Sequence, residues 1–106
     1  MSKQQSDYTT PEQSKRLLEL GVPAGSADCY YKESGKIEIK NTALDTLYPS
    51  CWSVGRLIEI LKECINNEDE LIDIFVELQY SNNLLTTVLM IFRDNKAILD
   101  FSKLEE

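Results

Sequence analysis

The spacing of apolar and polar positions is most regular in residues 53–65, and it predicts an amphipathic helix there. Ser53 stands where a helix N-cap is expected, because its hydroxyl can accept a hydrogen bond from a backbone N–H of the first turn. Trp52 and Leu57 occupy the two positions of a hydrophobic staple around that cap. The apolar stripe recurs at helical spacing and consists of Val54, Leu57, Ile58, Leu61 and Ile65. We expect this helix to form the centre of the core.

A second helix is predicted for residues 11–20 by the signals at its two ends. Thr10 can cap the helix, Pro11 suits its first position, and Gln13 completes a capping box. Gly21 is typical of a residue that ends a helix in a left-handed conformation. Since about three turns of helix are marginal alone in water, this helix must pack on the rest of the chain.

Period-two patterns after the first helix predict a β-hairpin. Residues 28–32 are rich in strand-forming side chains, and residues 37–40 alternate between isoleucine and charged side chains. Residues 33–36 contain a glycine and are expected to form the turn between the two strands. Residues 41–49 then form a connection that leads to the central helix.

Three further strands are predicted in the second half of the chain. In residues 71–80 every second side chain is apolar and several are β-branched, which favours a strand, although the same residues also fit a helix. The run at residues 84–92 is apolar on both faces and is typical of an inner strand. Residues 97–101 are expected to add a last strand. The polar residues 66–70 are interpreted as the stop that separates the central helix from these strands.

Together these elements predict an α+β domain. Their order, α-β-β-α-β-β-β, indicates an antiparallel sheet with two helices packed on one face. A chain of 106 residues can bury one hydrophobic core. We therefore expect residues 10–106 to form a single domain and residues 1–9 to form a flexible N-terminal tail.

The charge of the chain is negative and unevenly distributed. The net charge is −7, and residues 51–106 carry five basic and eleven acidic side chains. Because such a surface repels phosphates, the composition disfavours direct binding of nucleic acid. No apolar run approaches the roughly 20 residues of a membrane-spanning helix, and the polar N-terminus is unlike a secretory signal. We therefore expect a cytoplasmic protein that binds neither nucleic acid nor membrane.

Few residues offer catalytic or metal-binding chemistry. The chain has no histidine, which removes the commonest general base and the commonest metal ligand. Cys29, Cys51 and Cys64 lack metal-binding spacing and are expected to be reduced, mostly buried thiols. The acidic run at 68–70 lacks the alternating ligands and the glycine of a calcium loop. We therefore predict no enzyme activity, no cofactor and no metal.

Gly55 lies in the first turn of the central helix, and we expect it to allow tight packing beneath the hairpin.

Three segments carry a resemblance to known sequences: residues 10–23, residues 28–31 and residues 51–61. The most specific part is the run Trp-Ser-Val-Gly-Arg-Leu-Ile-Glu at 52–59. On these segments the chain resembles a group of small proteins of unknown function that are encoded by prophages and other mobile elements of gut Bacteroidetes. The resemblance implies an accessory protein of a mobile element, and it assigns no role to any single residue.

The apolar run at 84–92 also leads to a functional hypothesis. A short chain with two helices cannot cover both faces of an inner strand, so we expect a non-enzymatic protein-interaction protein that forms a homodimer. The candidate interaction surface consists of Tyr30, Tyr31, Trp52, Leu84, Val88 and Met90. One alternative is an acidic decoy or inhibitor that occupies a basic site on a host or rival protein. The other alternative is a small enzyme that works without histidine.

Overall fold

Strands occur only in the first half of the described chain, and helices make up its second half. The computed structural model describes residues 7–31, 36–39 and 49–104. Within these ranges there are four α-helices, which are α1 (Pro11–Leu20), α2 (Val54–Cys64), α3 (Glu68–Gln79) and α4 (Leu84–Asp94). There are also three β-strands, which are β1 (Cys29–Tyr31), β2 (Ile37–Ile39) and β3 (Ser50–Cys51). This mixture confirms the α+β class, whereas the predicted order of elements is wrong after α2.

Both ends of α1 form as the sequence predicts. The Thr10 side chain accepts a hydrogen bond from the backbone N–H of Gln13, and the Gln13 side chain accepts one from the backbone N–H of Thr10. Gly21 adopts the left-handed conformation with a φ of 108°, and its N–H bonds back to the last turn of the helix. Leu17 and Val22 are buried, so packing on the core supports this short helix.

The predicted hairpin pairs β1 with β2, and β3 adds a strand on the other side of β1. The sheet has the order β2-β1-β3, and both pairs of strands are antiparallel. Cys29 lies opposite Ile39 on one side and opposite Cys51 on the other. The sequence did not indicate β3, because a two-residue strand has no period to detect. Residues 33–35 of the predicted turn and residues 41–48 of the connection lie outside the described residues.

Residues 7–9 lie beside the segment that leads into α2. The Thr9 N–H donates to the Trp52 carbonyl oxygen at 2.9 Å, and the Thr9 hydroxyl accepts from the Trp52 N–H at 3.1 Å. Thr9 is fully buried in this contact. Residues 1–6, which make up the rest of the predicted tail, lie outside the described residues.

α2 forms the centre of the core, as its hydrophobic pattern predicts. Ser53 caps the helix by accepting a hydrogen bond from the Arg56 N–H at 3.1 Å. Trp52 and Leu57, the predicted staple, are both fully buried. The other α2 side chains without solvent exposure are Ile60, Leu61 and Cys64.

The expectation of tight packing at Gly55 is wrong. Gly55 is exposed on the surface of α2, and a β-carbon built on it would meet no atom within 4 Å among the described residues. The described residues therefore give no steric reason for a glycine at this helical position, where glycine is less favourable than alanine.

The strand predicted for residues 71–80 is wrong, because these residues belong to α3. The Asn67 side chain caps α3 by accepting from two backbone N–H groups of its first turn, at 2.8 and 3.3 Å. The polar residues 66–70 therefore start a helix, and its first turn holds three carboxylates where the helix dipole favours them. The side chains that pack on the core recur at helical spacing and are Leu71, Ile74, Phe75 and Leu78.

The strand predicted for residues 84–92 is also wrong, because this run forms most of α4. The Asn83 side chain caps the helix by accepting from the Thr86 N–H at 3.1 Å. The buried side chains of α4 are Leu85, Val88, Ile91 and Phe92. α4 packs against both α2 and α3. Helices of the same chain thus cover the apolar run from which a dimer was expected.

Two 3-10 turns, at Lys96–Ile98 and Phe101–Leu104, replace the strand predicted for residues 97–101, which is wrong. The Asp100 N–H between them donates to the Cys64 carbonyl oxygen at 2.9 Å, at the last residue of α2. The ring of Phe101 stacks on that of Phe92, with 6.5 Å between the ring centroids. This segment therefore closes the end of the helical layer rather than extending a sheet.

Candidate functional site

The outer face of α3 exposes a line of apolar side chains. Ile72 is 59% exposed, Val76 is 48% exposed and Tyr80, the C-cap residue, is 81% exposed. Their spacing of four residues places them in one row along the helix, which we call the α3 outer face. Single exposed hydrophobic residues are ordinary on a protein surface, whereas an aligned group bordered by polar residues is typical of an interaction site.

Acidic side chains border the α3 outer face. The helix carries no basic residue and five carboxylates, which belong to Glu68, Asp69, Glu70, Asp73 and Glu77. All five are exposed, and none forms an ion pair with another residue in the part of the chain that the structure describes. Asp69, Asp73 and Glu77 are themselves four residues apart, so they form a negative row that runs beside the apolar one.

This acidic row is not explained by the stability of the helix. Asp73 has a like charge four residues away on each side, Asp69 and Glu77, and each such pair destabilises a helix by about 0.2–0.5 kcal/mol. The helix dipole stabilises the carboxylates of the first turn, but it disfavours Glu77 near the C-terminus. A row of charge that costs stability in the free chain is expected to serve an interaction with a cationic group.

The six residues predicted as an interaction surface do not form one surface. Two are fully buried in the core, Trp52 and Val88, where no partner of the folded chain can reach them. Three are half-buried, namely Tyr30, Tyr31 and Leu84. Met90 is exposed, at 44%, and lines a groove between α1 and α4. The predicted set therefore combines two core residues with partly or largely exposed residues of β1 and α4.

The three cysteines are buried, and two of them form hydrogen bonds with nearby backbone carbonyl groups. The Cys29 thiol donates to the Cys51 carbonyl oxygen at 3.0 Å, and the Cys51 thiol donates to the Thr9 carbonyl oxygen at 3.5 Å. The hydrogen bond with Cys51, followed by burial, raises the pKa of Cys29, and the same hydrogen bond lowers the pKa of Cys51 to about 7. Cys29, Cys51 and Cys64 are all free and buried, which confirms the prediction of buried thiols. Although Cys51 lies shortly before α2, a substrate has no access to its sulfur.

The Trp-Ser-Val-Gly-Arg run is held by structural hydrogen bonds. The Trp52 indole N–H donates to the Ser26 hydroxyl at 3.1 Å, and Arg56 Nε donates to the Ser26 carbonyl oxygen at 2.7 Å. The Asp28 carboxylate accepts from the backbone N–H of Ser53 at 2.9 Å and from its hydroxyl at 2.5 Å. These contacts join the loop before β1 to the start of α2, so the most specific run in the sequence has a structural role.

Sequence reasoning missed Ile72, Val76 and Tyr80 as surface residues. A period of two places all three, together with Ile74 and Leu78, on the same inward face of a strand, whereas a helix turns them away from the core. The signal that distinguishes the two possibilities is the Asn67 cap followed by an acidic first turn.

Other kinds of site find no support in the described residues. Within residues 7–31, 36–39 and 49–104, no three cysteine or acidic side chains are grouped so that they could hold a metal ion. None of the helices in these ranges has the length and apolar character needed to cross a membrane. Comparisons of the chain with protein-family models, with curated proteins and with solved structures find no match.

Proposed function

We propose that this chain is a non-enzymatic interaction protein that binds a basic, amphipathic segment of another protein through the α3 outer face. The observation that carries the proposal is the row of Ile72, Val76 and Tyr80, exposed beside five carboxylates on a helix without a basic residue. Apolar side chains of the partner would cover this row, and its lysines or arginines would lie against the acidic row.

Charge decides between a foreign partner and a second copy of the chain. Two α3 helices that pair through Ile72 and Val76 would bring five carboxylates from each copy together, with no basic side chain on either helix to compensate them. Such like-charge contact opposes association. A basic partner gains from the same charges, because the acidic row steers it and strengthens the complex at low salt.

This proposal joins two of the hypotheses drawn from the sequence. Like the first hypothesis, it describes a non-enzymatic interaction protein. Like the hypothesis of an acidic decoy or inhibitor, it assigns the protein a basic partner. An accessory role in a mobile element, and an action in the cytoplasm, fit this proposal and remain part of it. Homodimerisation stays an untested alternative, because its original basis, an uncovered apolar strand, is absent from the fold and the carboxylates of α3 oppose it.

Binding of a designed probe tests the proposal. The probe is a synthetic helical peptide with leucine on one face and lysine on the other, and its control is the same peptide with glutamate in place of lysine. We expect one lysine peptide to bind per chain in isothermal titration calorimetry, and the glutamate peptide to bind at least tenfold more weakly. At about 1 M salt, where charges are screened beyond roughly 3 Å, the difference should shrink.

Matched variants locate the binding. Replacing Ile72 and Val76 together by glutamine should lower the affinity for the lysine peptide about tenfold or more, because the apolar contact is lost. Ile98→Gln is the control, since Ile98 is 42% exposed and belongs to the Lys96–Ile98 turn rather than to α3. Equal affinity of the double variant and the Ile98→Gln control would mean that the acidic surface as a whole attracts the peptide, and the proposal would be wrong.

A second pair of variants tests the acidic row. Glu77→Gln should reduce the affinity for the lysine peptide about twofold to fivefold at low salt, as expected for one exposed charge pair. Glu63→Gln removes an exposed charge from α2 and should have a smaller effect. Equal losses from the two substitutions would contradict a specific role for the charges of α3.

A further inference from the structure

A second candidate site lies in the groove between α1 and α4. The groove has a volume of about 580 Å³, which is within the usual range of roughly 300–1,000 Å³ for small-molecule sites. Its apolar lining comes from both helices and consists of Leu17, Leu20, Leu89 and Met90. A site of this size and lining suits the hydrocarbon part of a small ligand.

Two guanidinium groups line the same groove, one from each helix. Arg16 belongs to α1 and has no ion pair or hydrogen-bonded side chain in the described part of the chain. Arg93 belongs to α4, and its Nε donates to the Asp94 carboxylate at 3.1 Å. The terminal nitrogens of a guanidinium carry four further N–H donors, so Arg93 keeps donors for a ligand. Guanidinium N–H groups donate to oxygen acceptors, and carboxylate and phosphate groups both match their geometry.

The net charge of the side chains that line the groove restricts the charge of the ligand. Glu19 also lines the groove, so the lining side chains carry a net charge of +1. The Asp94 carboxylate beside the groove offsets part of the charge of Arg93 and leaves Arg16 as the unpaired cation of the lining among the residues that the structure describes. The other polar side chains of the lining, Gln13 and Thr86, are uncharged. A single negative charge balances this lining, whereas Glu19 would repel a more highly charged anion.

From these observations we infer that the groove binds an amphiphile with one carboxylate, with its hydrocarbon chain against Leu17, Leu20 and Leu89 and its carboxylate between Arg16 and Arg93. This site is separate from the α3 outer face. Binding in the groove depends neither on the basic partner nor on the residues proposed to contact it.

Titration with three amphiphiles of equal chain length tests the inference. The probes are dodecanoate, dodecyl maltoside and dodecyltrimethylammonium, all used below the concentrations at which they form micelles. We expect one dodecanoate to bind per chain, at least tenfold more tightly than the uncharged or the cationic probe. Equal binding of the three, or binding of several molecules per chain, would overturn the inference, because the groove would then be a general apolar surface.

Variants of exposed residues assign the binding to the groove. Arg16→Gln and Arg93→Gln should each weaken dodecanoate binding about threefold to tenfold, as expected for one partly exposed charged hydrogen bond. Lys15→Gln removes a neighbouring cation of α1 that does not line the groove, and it should leave the affinity unchanged. An equal loss in Lys15→Gln and Arg16→Gln would overturn the inference.

Met90→Glu tests the apolar part of the site. Met90 is exposed at 44%, so a polar substitution is compatible with folding, which circular dichroism can verify. The new carboxylate should abolish dodecanoate binding in a folded protein. The Ile72→Gln/Val76→Gln protein should bind dodecanoate as tightly as the unmodified chain. If the Ile72→Gln/Val76→Gln protein lost dodecanoate binding while Met90→Glu kept it, the binding would belong to α3 and the inference would be contradicted.

Discussion

Two glycines illustrate how strongly backbone geometry decides the role of a residue. Gly21 ends α1 with a φ of 108°, a left-handed conformation that side-chain-bearing residues rarely adopt. Gly55 has helical geometry in the first turn of α2, and the space around it is open in the described structure. The sequence indicates the first role, because Gly21 directly follows the predicted helix, but it offers no comparable signal for the second.

Alanine at these two positions should therefore have opposite effects. Gly55→Ala is expected to raise the free energy of unfolding by about 0.3–1 kcal/mol, because alanine favours the helix and restricts the unfolded chain. Gly21→Ala is expected to lower it by about 1–2 kcal/mol, because a β-carbon is strained in the left-handed region. Urea denaturation followed by circular dichroism measures both. A destabilising Gly55→Ala would show that something packs against that position.

The buried thiol of Cys64 predicts a loss of stability at alkaline pH. Burial, reinforced by the negative charges of Glu63 and Asp100, raises the pKa of Cys64 from 9.0 to about 11. Above pH 9 the unfolded chain therefore releases this proton while the folded chain retains it. The stabilising contribution is complete below pH 9 and is lost as the pH rises towards 11, with a total on the order of 2 kcal/mol.

Cys64→Ala isolates that contribution. At pH 7 the variant should be less stable by about 1 kcal/mol, because it loses a buried sulfur. Between pH 9 and 11 its stability should fall less steeply than that of the unmodified chain, so the difference should shrink to zero and then reverse, with the variant the more stable protein near pH 11. Chemical denaturation at a series of pH values provides the comparison. Parallel pH profiles would show that Cys64 does not titrate differently in the folded and unfolded states.

At the scale of elements, the residue that caps a helix explains which helices could be predicted. α1 and α2 begin with Thr10 and Ser53, and a capping box or an obvious apolar stripe follows each of them. α3 and α4 begin with Asn67 and Asn83, and asparagine is as typical of turns as of caps. From the sequence alone, the polar segment before α3 is therefore interpreted as a stop that separates the central helix from a strand.

The apolar residues of α3 and α4 also favoured the incorrect prediction of strands. α3 contains β-branched residues at alternate positions, and they fit a strand when the chain is considered alone. Packing decides the outcome, because a helix buries Leu71, Ile74, Phe75 and Leu78 together on the core. Tertiary contacts with α4 and with the rest of the core thus outweigh the local preference.

Substitutions at Val76 distinguish the helix from a strand. Val76 is 48% exposed, so backbone preference rather than packing dominates the outcome. Val76→Ala should raise the free energy of unfolding by a few tenths of a kcal/mol in a helix, whereas it should lower it in a strand. Val76→Pro should cost about 3 kcal/mol or more, because it removes an internal helical hydrogen bond. Denaturation curves of both variants provide the test, and a destabilising Val76→Ala would contradict the helical assignment of α3.

At the scale of the whole molecule, the fold class was predictable and the candidate site was not. The first helix, the hairpin strands and the central helix follow from capping residues and periodicity, and they are enough to indicate an α+β protein. The site depends on which face of α3 points outward, and that depends on contacts between elements. The predicted surface residues Trp52 and Val88 are buried for the same reason, since they pack between elements whose arrangement the sequence did not indicate.

The acidic surface of α3 predicts the association state of the free protein. At pH 7 and low salt we expect a monomer of 12.1 kDa at tens of micromolar, because the carboxylates of two α3 helices repel each other. At about 1 M salt, screening should allow weak self-association, and Ile72→Gln should remove it. Multi-angle light scattering measures the mass in each condition. A stable dimer at low salt would support the original homodimer hypothesis, and it would show that repulsion between the acidic rows does not control association.

The most direct test of the α3 outer face as a docking surface is to locate the bound lysine peptide on the protein. Amide chemical-shift mapping of the isotopically labelled chain reports every backbone position at once. We predict that the largest changes lie in α3 and around Tyr80, with Ile72 and Val76 among the most affected residues, and that Glu12 and Glu63 on other helices change little. Changes spread over all acidic residues, or concentrated in the groove between α1 and α4, would contradict the claim that the α3 outer face is the docking surface.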